Sequence, residues 1–513
     1  MTRRLIASYL MLFAVITGGI LFSVVDRHSG LEKSVFGIAR AQVVGCGGGM
    51  ISGGCGGGPA PIPNLIVNNG LPNWQACRNK VTSGASNCNV LILGESTDTG
   101  YNGTYSSATD DATSGSWVRQ LAFLLRSNYG INANANSLSG DRNTGTVAAL
   151  NAFDNRAVLH NWNLLNGSGF SYTFGGFSWI SGDTTAYAFT PTDAGYSQST
   201  AVITDTLDVY TYNQPGNGTI TVASSAGGTN CTINTNSANA FAKTSCPFTS
   251  GNATYSATTA SAFCCIIGTV VARLSTQKEI SLINGAFNGA TVEQATTSSA
   301  STCGKSAGAF CPWDLPSQIA AFSPGLVIIG YGGNDSTSQA TVTATFNGTT
   351  TMNVTAVGSG SLAVGDVVSN GTFPITIPAN TQIVSLGTGT GGTGTYILNN
   401  VVSSQSGLAT DIGTPVATFI ANLTTIANAA KTAGADVLFN YGTGGPYTAG
   451  VVALAASLGA PAYNFGWTFT SPSGELPIAA SWLVLPGGTW DFNHRGASGQ
   501  MAYASALAQI LAQ

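Results

Sequence analysis

Two long stretches of this chain carry only strand patterns, and they interrupt a sequence that elsewhere alternates apolar runs with helical ones. Over residues 151–266 and again over 340–408, short alternating segments follow one another between Gly, Asn, Ser and Thr turns. Such stretches are typical of β-sandwiches and small β modules. The flanking segments, 88–150, 267–339 and 409–513, together hold about 240 residues, which suits one domain. We therefore expect a single host domain with two β insertions.

The host segments show the pattern of an α/β fold. Residues 89–93 (NVLIL) form an apolar run of the kind found in buried parallel strands, and a helical pattern follows over Ser116–Tyr129. The remaining strand patterns are Glu279–Ile283, Gly325–Gly330, Ala435–Tyr441 and Ala460–Phe465, and the helical patterns are Pro415–Ala433, Val451–Leu458 and Gly496–Ala512. Strands that alternate with helices along the chain predict a parallel sheet covered by helices.

The N-terminal segment predicts transport out of the cytoplasm. Two arginines precede an apolar run from about Leu5 to Val25, which is long enough to span a bilayer. Residues 1–41 are therefore either a membrane anchor or a signal peptide with a small-residue cleavage site ending at Ala41. Both interpretations place the rest of the chain in an extracytoplasmic location: secreted, periplasmic or at the cell surface. Residues 42–87 are predicted to be a Gly/Pro-rich linker and N-terminal extension.

The cysteines fit an oxidising compartment. The chain has ten, and four close spacings predict short disulfide loops: Cys46/Cys55, Cys77/Cys88, Cys231/Cys246 and Cys303/Cys311. Cys264 and Cys265 are adjacent, and either they pair with each other or each pairs elsewhere. A thiolate metal site is the competing interpretation, but the sequence lacks the paired short spacings or nearby histidines that it needs. We expect no metal and no cofactor.

The low charge content argues against one class of partner. Charged residues make up 7% of the chain, against about 25% in an average soluble protein. The net charge is −4, with no basic cluster away from the N-terminus. Nucleic acid is therefore not an expected partner, because affinity for it comes largely from Lys and Arg that neutralise phosphates.

The chain has only three histidines, which limits where an imidazole base can come from. His28 lies beside the N-terminal apolar run and His160 lies in the first insertion, so only His494 belongs to the host domain. Asp491 precedes His494 by three positions. In a loop, a carboxylate at that spacing can orient the imidazole and stabilise its cation, so this pair is a candidate base with its orienting acid.

Two further candidate residues follow core strands. Ser96 comes directly after the first strand, in Gly94-Glu95-Ser96, at the edge where open α/β sheets bind ligands. This is not the Gly-x-Ser-x-Gly elbow of the α/β-hydrolases, because Asp98 occupies the last position. Asn334 follows the strand at 325–330, and its side-chain amide is of a type that donates to oxyanions. For both residues the alternative is a purely structural role in a turn.

Taken in order, these motifs resemble the four blocks of the SGNH (GDSL-type) hydrolases. The blocks are Gly94-Glu95-Ser96, a glycine after the second core strand, Gly332-Gly333-Asn334-Asp335 and Asp491-x-x-His494. The resemblance covers the host domain and not the insertions. It implies a flavodoxin-like three-layer core and carboxylic ester hydrolysis, with Ser96 as nucleophile, His494 as base and Asp491 orienting His494. It further implies an oxyanion hole made by Ser96, Asn334 and the block-two glycine.

Two features of this chain depart from the usual pattern of the four blocks. Block one usually has Asp where this chain has Glu95, and we expect a changed local bonding pattern with retained activity. The block-two glycine is either Gly289, after the strand that returns from the first insertion, or Gly140, after the first helix. We prefer Gly289, because its strand would lie beside the strand that leads to Ser96.

The insertions bear on the substrate. A β-sandwich in such an esterase is similar to arrangements in carbohydrate esterases, so the resemblance implies an O-acetylesterase acting on an acetylated polysaccharide. Candidate sugar-stacking aromatics are Tyr172, Phe174, Phe177, Trp179, Tyr187, Tyr210 and Tyr212, although most aromatics in a sandwich belong to its core. The second insertion resembles small β modules of phage tail and bacterial surface proteins. The alternative function is therefore a sugar-binding adhesin with a non-catalytic hydrolase scaffold. A lipase is disfavoured, because no long apolar lid segment is present.

Overall fold

The computed structural model describes most of the chain beyond residue 64. The described residues are 65–66, 69–95, 98, 116–137, 157–158, 162–164, 179–181, 187–194, 199–259, 265–286, 290–296, 314–370, 377–442, 445–465 and 497–513. Within them, strands are numbered β1 to β25 and helices α1 to α7 in chain order. The predicted anchor or signal peptide lies outside the described residues. No helix within the described ranges is long and apolar enough to cross a membrane.

Seven of the described strands form the central sheet. In spatial order they are β1 (Leu65–Ile66), β25 (Ala462–Asn464), β24 (Asp436–Tyr441), β17 (Pro324–Gly330), β2 (Cys88–Gly94), β16 (Ile280–Asn284) and β3 (Ala133–Asn134). Only β1 pairs antiparallel with its neighbour in this sheet. From β16 to β25 the spatial order is 2-1-3-4-5 by position in the chain, which is the order of flavodoxin-like sheets. The predicted α/β fold with a parallel sheet is confirmed.

Helices cover both faces of this sheet. They are α1 (Pro72–Thr82), α2 (Trp117–Tyr129), α3 (Val292–Ala295), α4 (Leu315–Gln318), α5 (Val416–Thr432), α6 (Thr448–Leu458) and α7 (Ala497–Ala512). Ala462 packs into one core with residues of α3 to α6. The next residue, Tyr463, points to the opposite face, where its ring stacks on Tyr503 of α7 at 6.0 Å. The sheet is buried from both sides, which explains why β17 is buried at every position.

Helix α2 begins and ends at residues that are typical of helix ends. The side chain of Ser116 caps the first turn by accepting a hydrogen bond from the backbone N–H of Arg119. Gly130 ends the helix in the left-handed region, at φ 65°. Helix α1, in contrast, was not identified from the sequence. It lies within the predicted extension at 42–87, and it packs on the sheet through Trp74, which is 1% exposed.

Ten of the described strands form two antiparallel sheets that share one apolar core. One sheet is β13 (Ala240–Asn252), β10 (Ile203–Asn213), β15 (Ile266–Arg273), β6 (Trp179–Ser181) and β5 (Trp162–Leu164); the other is β12 (Cys231–Asn234), β11 (Thr219–Ser224), β14 (Tyr255–Thr259), β7 (Tyr187–Phe189) and β4 (Ala157–Val158). A separate hairpin joins β8 (Thr192–Ala194) to β9 (Ser199–Ala201). Val209 and Ile267 from the first sheet meet Ile220 and Val222 from the second. The two sheets therefore pack face to face, as in a β-sandwich. Strand β15 extends beyond the predicted boundary at residue 266.

The sandwich rests on the host domain through aromatic residues of β10. The ring of Tyr210 stacks on Phe322 with centroids 4.2 Å apart, and the hydroxyl of Tyr212 donates to Gln318 Oε1 at 2.7 Å. Both tyrosines are almost completely buried. They therefore belong to a packed junction and are not exposed for stacking on a sugar. Tyr172, Phe174 and Phe177 lie outside the described residues.

Six of the described strands form the second β module, and they close into a barrel. In order they are β20 (Val367–Ser369), β23 (Gln405–Gly413), β18 (Ala340–Phe346), β19 (Thr351–Gly360), β22 (Gly394–Leu398) and β21 (Ile383–Leu386). The outer edges meet, because Val368 N donates to Thr381 O at 2.9 Å and Ile383 N donates to Asp366 O at 3.0 Å. Strand β23 extends beyond the predicted boundary at residue 408. Closure leaves no free sheet edge between β20 and β21.

Two of the predicted disulfides are present. Cys77 is bonded to Cys88, which joins α1 to the start of β2, and Cys231 is bonded to Cys246 within the sandwich. Cys265 is also disulfide-bonded. The other two predicted pairs, Cys46/Cys55 and Cys303/Cys311, lie outside the described residues, as does Cys264.

Candidate active site

The carboxyl ends of β2 and β17 lie side by side at the point where the strand order changes direction. Gly94 at the end of β2 is paired with Gly330 at the end of β17. The chain first moves from β2 to β16 on one side and then returns to β17 on the other. Ligands of open parallel sheets bind in the crevice at such a switch point.

Of the residues predicted for this site, the structure describes Asn334. The others lie outside the described residues: Ser96, Gly140, Gly289, Asp491 and His494. Described residues adjoin several of them in the chain. Glu95 precedes Ser96, Asp98 follows it by two positions, and Ala290 follows Gly289. The contacts of these neighbours define the framework around the candidate site.

Glu95 joins the turn after β2 to the loop after β17, which spans residues 331–337 and is called here the Asn334 loop. Its carboxylate accepts hydrogen bonds from the backbone N–H groups of Gly333, at 3.1 Å, and Asn334, at 2.8 Å. Glu95 is only 6% exposed, so water competes little for these bonds. A Cβ on Gly333 would collide with the Glu95 carboxylate, so a larger residue there would displace this side chain from its hydrogen bonds.

Asp98 fills the space above the paired strand ends. A Cβ on either Gly94 or Gly330 would come within 2.5 Å of its Oδ2 atom, at 2.3 Å and 2.4 Å respectively. The two glycines therefore make room for the Asp98 side chain, which is 1% exposed. Asn284, at the end of β16, donates from Nδ2 to the Asp98 carbonyl oxygen at 3.3 Å. The ends of β16, β2 and β17 are thus connected at this edge.

Asn334 begins a short 3-10 helix, Asn334–Thr337, and its side chain is half-buried. Nδ2 donates to the carbonyl oxygen of Ala290 at 3.2 Å. A primary amide has two N–H groups, so this bond fixes the side-chain orientation and leaves the second for another acceptor. Ala290, which accepts this bond, directly follows Gly289 in the chain. The alternative, Gly140, follows Ser137, whose hydroxyl donates to Leu282 O on β16 at 3.3 Å.

Asp335, the residue of the Asn334 loop that follows Asn334, is completely buried. Its two carboxyl oxygens lie 3.0 Å and 3.2 Å from the backbone nitrogen of Val292. Burial, followed by the negative charge of Glu95, raises the pKa of Asp335 to about 8, although the bond from Val292 acts in the opposite direction. Burial also raises the pKa of the Tyr331 hydroxyl, with smaller contributions from the carboxylates of Asp335, Asp98 and Glu95.

Tyr447 supports the same loop from below. Its hydroxyl lies 3.0 Å from the carbonyl oxygen of Asp335 and 2.7 Å from that of Thr414. The ring is stacked on Phe419 with centroids 4.0 Å apart. No motif in the sequence indicates this role for Tyr447, because it lies 112 positions from Asp335. In the local sequence it is only the residue that precedes α6.

The chain was compared with known proteins. No protein-family model matches it, and neither does any curated protein. Among solved structures, a peptidoglycan O-acetylesterase is 13% identical, with 87% of this chain and 97% of that chain covered at a TM-score of 0.48. A family-two carbohydrate esterase with a carbohydrate-binding domain, from Myceliophthora fergusii, is 10% identical, with coverages of 64% and 93% and a TM-score of 0.22.

Another solved structure is a family-two carbohydrate esterase from Clostridium thermocellum in complex with cellohexaose. It is 9% identical, with 65% of this chain and 93% of that chain covered and a TM-score of 0.22. At these identities and TM-scores, the likeness assigns neither a family nor an activity to this chain.

Sequence reasoning identified Asn334 but missed the residues that hold it. For Glu95 the sequence predicts a changed local bonding pattern, but it does not predict the contact with the Asn334 loop. The buried carboxyl of Asp335 and the hydroxyl of Tyr447 were missed as well. Among the side chains that the structure describes, no three His, Cys, Asp or Glu residues are grouped as metal ligands.

Proposed function

We propose that this chain is an extracytoplasmic serine esterase of the SGNH type, and that it removes O-acetyl groups from a polysaccharide. The observation that carries the proposal is the hydrogen bond between Glu95 and the backbone N–H of Asn334. Glu95 directly precedes Ser96, so the turn of the candidate nucleophile and the loop of the candidate oxyanion donor form one bonded unit at the switch point of the sheet. The two disulfides support an oxidising compartment.

In the proposed reaction, Ser96 Oγ attacks the ester carbonyl carbon while His494 accepts the serine proton. Asp491 orients His494 and stabilises its cation. The carbonyl oxygen becomes an oxyanion that accepts hydrogen bonds from the Ser96 and Gly289 backbone N–H groups and from Asn334 Nδ2. His494 then donates the proton to the leaving alcohol, which leaves an acyl group on Ser96. Water then attacks the acyl carbon as His494 accepts its proton; the bond from this carbon to Ser96 Oγ breaks, the acid leaves, and His494 returns the proton to Oγ.

The contact of Asn334 with Ala290 favours Gly289 over Gly140 as the second backbone donor. An oxyanion hole needs its donors to converge on one point. Ala290, which directly follows Gly289, is bonded to Asn334 itself, whereas Ser137, the described residue that precedes Gly140 most closely in the chain, is bonded to β16.

The local charges suit an oxyanion. The raised pKa of Asp335 keeps its carboxyl protonated at neutral pH, so it adds no negative charge beside Asn334. The carboxylate of Glu95 is compensated by the two backbone N–H groups that it binds. An uncompensated carboxylate at this position would oppose the negative charge that develops on the carbonyl oxygen.

The test is hydrolysis of p-nitrophenyl acetate and of longer acyl esters by the full-length protein, beside Ser96→Ala. Ser317→Ala, which alters an exposed serine of α4, is the matched control. We expect turnover that prefers acetyl, persists in Ser317→Ala and is lost in Ser96→Ala. Release of acetate from acetylated polysaccharides then identifies the substrate class. If the folded wild-type protein hydrolyses no ester, the esterase proposal fails and the adhesin hypothesis takes its place.

A further inference from the structure

The chain enters and leaves the β-barrel next to the Asn334 loop. At the entry, Gln339 N donates to Ile412 O at 2.8 Å, and at the exit Thr414 N donates to Asp335 O at 2.8 Å. Gly413 packs directly on the loop, because a Cβ there would lie 2.6 Å from the Asp335 carbonyl oxygen. The two ends of the insertion are therefore fastened to each other and to the backbone of Asp335.

Tyr447 completes this junction from the host domain. Its buried hydroxyl lies within hydrogen-bond distance of the carbonyl oxygens of both Asp335 and Thr414, one on the loop and one on the chain that returns from the barrel. The same ring lies beneath Gly332, where a Cβ would come to 3.4 Å from it. The Tyr447 hydroxyl, called here the Tyr447 bridge, has one proton to donate and lies between these two carbonyl oxygens; among the described residues, it is the host-domain side-chain group that reaches both.

The barrel next to the Tyr447 bridge is closed and tightly packed. Its strands close on themselves around an apolar interior that includes Phe346, Met352 and Tyr396. A second contact joins it to the loop, since Ser369 Oγ donates to Ser336 O at 3.2 Å. A closed, packed barrel deforms little, so it holds the loop backbone at a set position.

We propose that Tyr447 is a positioning residue, and that its hydroxyl locks the Asn334 loop to the barrel in the geometry that aims the Asn334 amide at the oxyanion. The inference rests on the proposed esterase function. Asn334 is held by Glu95, which follows β2, and by Ala290, which follows β16. The next residue, Asp335, is held by Tyr447 of the host domain and by Thr414 at the exit of the barrel. The second β insertion thereby has a role in setting the active site.

The experiment compares Tyr447→Phe with Tyr396→Phe in the full-length protein. Tyr396 is a matched control within the barrel: its buried hydroxyl donates to Gly392 O at 2.7 Å and accepts from Gly391 N at 3.0 Å. We expect Tyr447→Phe to lower kcat about tenfold with KM changed less than about twofold, because small misplacements of a donor act on the transition state. Tyr396→Phe should change both constants by less than about twofold at a comparable loss of Tm.

Hydrogen exchange gives a readout that is independent of activity. In Tyr447→Phe, the amides of residues 333–336 should exchange several-fold faster than in the wild type, and in Tyr396→Phe they should not. An unchanged kcat in Tyr447→Phe, or an equal fall in both variants, would overturn the proposal. If the wild-type protein has no esterase activity, the proposed function fails, and hydrogen exchange alone tests whether the Tyr447 hydroxyl restrains the Asn334 loop. Unchanged exchange rates in the loop of Tyr447→Phe would contradict this restraint. Faster rates in Tyr447→Phe but not in Tyr396→Phe would support it.

Discussion

Glu95 Oε2 lies 2.8 Å from the backbone nitrogen of Asn334, across 239 positions of sequence. The residue that departs from the usual block-one acid is thus the residue that joins the candidate nucleophile's turn to the candidate oxyanion donor. A side chain one methylene longer than Asp spans this distance. The departure is therefore accompanied by a specific pair of hydrogen bonds to the Asn334 loop.

Replacing Glu95 by Gln should reduce activity. The carboxylate accepts two backbone N–H groups, whereas an amide offers one oxygen and turns an NH₂ group toward the other donor. We expect kcat for p-nitrophenyl acetate to fall about 10- to 100-fold, with the fold retained. Glu279→Gln is the control: this carboxyl is similarly buried but lies just before β16, away from the Asn334 loop, so its replacement should leave kcat unchanged. Equal kcat values for Glu95→Gln and wild type would contradict the prediction.

Removing the amide of Asn334 should act on the transition state. In Asn334→Ala we expect kcat to fall about 100- to 1000-fold with little change in KM, which is the usual effect of losing one oxyanion donor. The control is Asn399→Ala, because Asn399 donates in the same way to a carbonyl, that of Asn380, on the barrel surface. Steady-state kinetics of both variants tests whether the Asn334 amide stabilises the transition state. A purely structural Asn334 would reduce Tm in Asn334→Ala and leave kcat of the folded fraction intact.

Asp335 should make stability depend on pH. Its folded-state pKa is about 8, above the ordinary value of 3.8, so the folded protein binds a proton that the unfolded chain has released. Stability from this group is complete at acidic pH and decreases as pH rises from about 4 to about 8. Asp335→Asn keeps an acceptor for Val292 and should flatten this part of the Tm profile. A variant whose Tm falls over this pH range as steeply as that of the wild type would show that Asp335 is not the titrating group.

The disulfide between Cys77 and Cys88 should be coupled to Gly325. A Cβ on Gly325 would lie 2.5 Å from both the Cβ atom and the sulfur of Cys77, so Gly325→Ala should destabilise the oxidised protein by about 1–3 kcal/mol. A Cys77→Gly/Cys88→Ala background lacks both of these atoms, so the same substitution should cost less there. Denaturant unfolding of the four proteins forms a double-mutant cycle. Strict additivity would show that the methyl group and the Cys77 side chain do not collide.

Much of the secondary structure was predictable because it depends on local spacing. The helical pattern at 415–433 became α5 at Val416–Thr432, and the strand pattern at 325–330 became β17 at Pro324–Gly330. Helix α1 was missed, since Trp74 and Val81 are its only buried apolar positions and they leave a weak period. Its place on the sheet depends instead on distant partners, such as Asp436, whose carboxylate accepts from the backbone N–H of Trp74 at 2.8 Å.

For the candidate site, the sequence alone determined which residue types stand after each strand, and therefore that Ser96 and Asn334 are candidates. Residue spacing could do this because strands and turns are set by neighbours within a few positions. Only the tertiary structure decided that β2 and β17 are adjacent, that Glu95 binds the Asn334 loop and that Tyr447 joins the loop to the barrel. These contacts link residues 239 and 112 positions apart, and they arise from sheet order and packing, which no local pattern records.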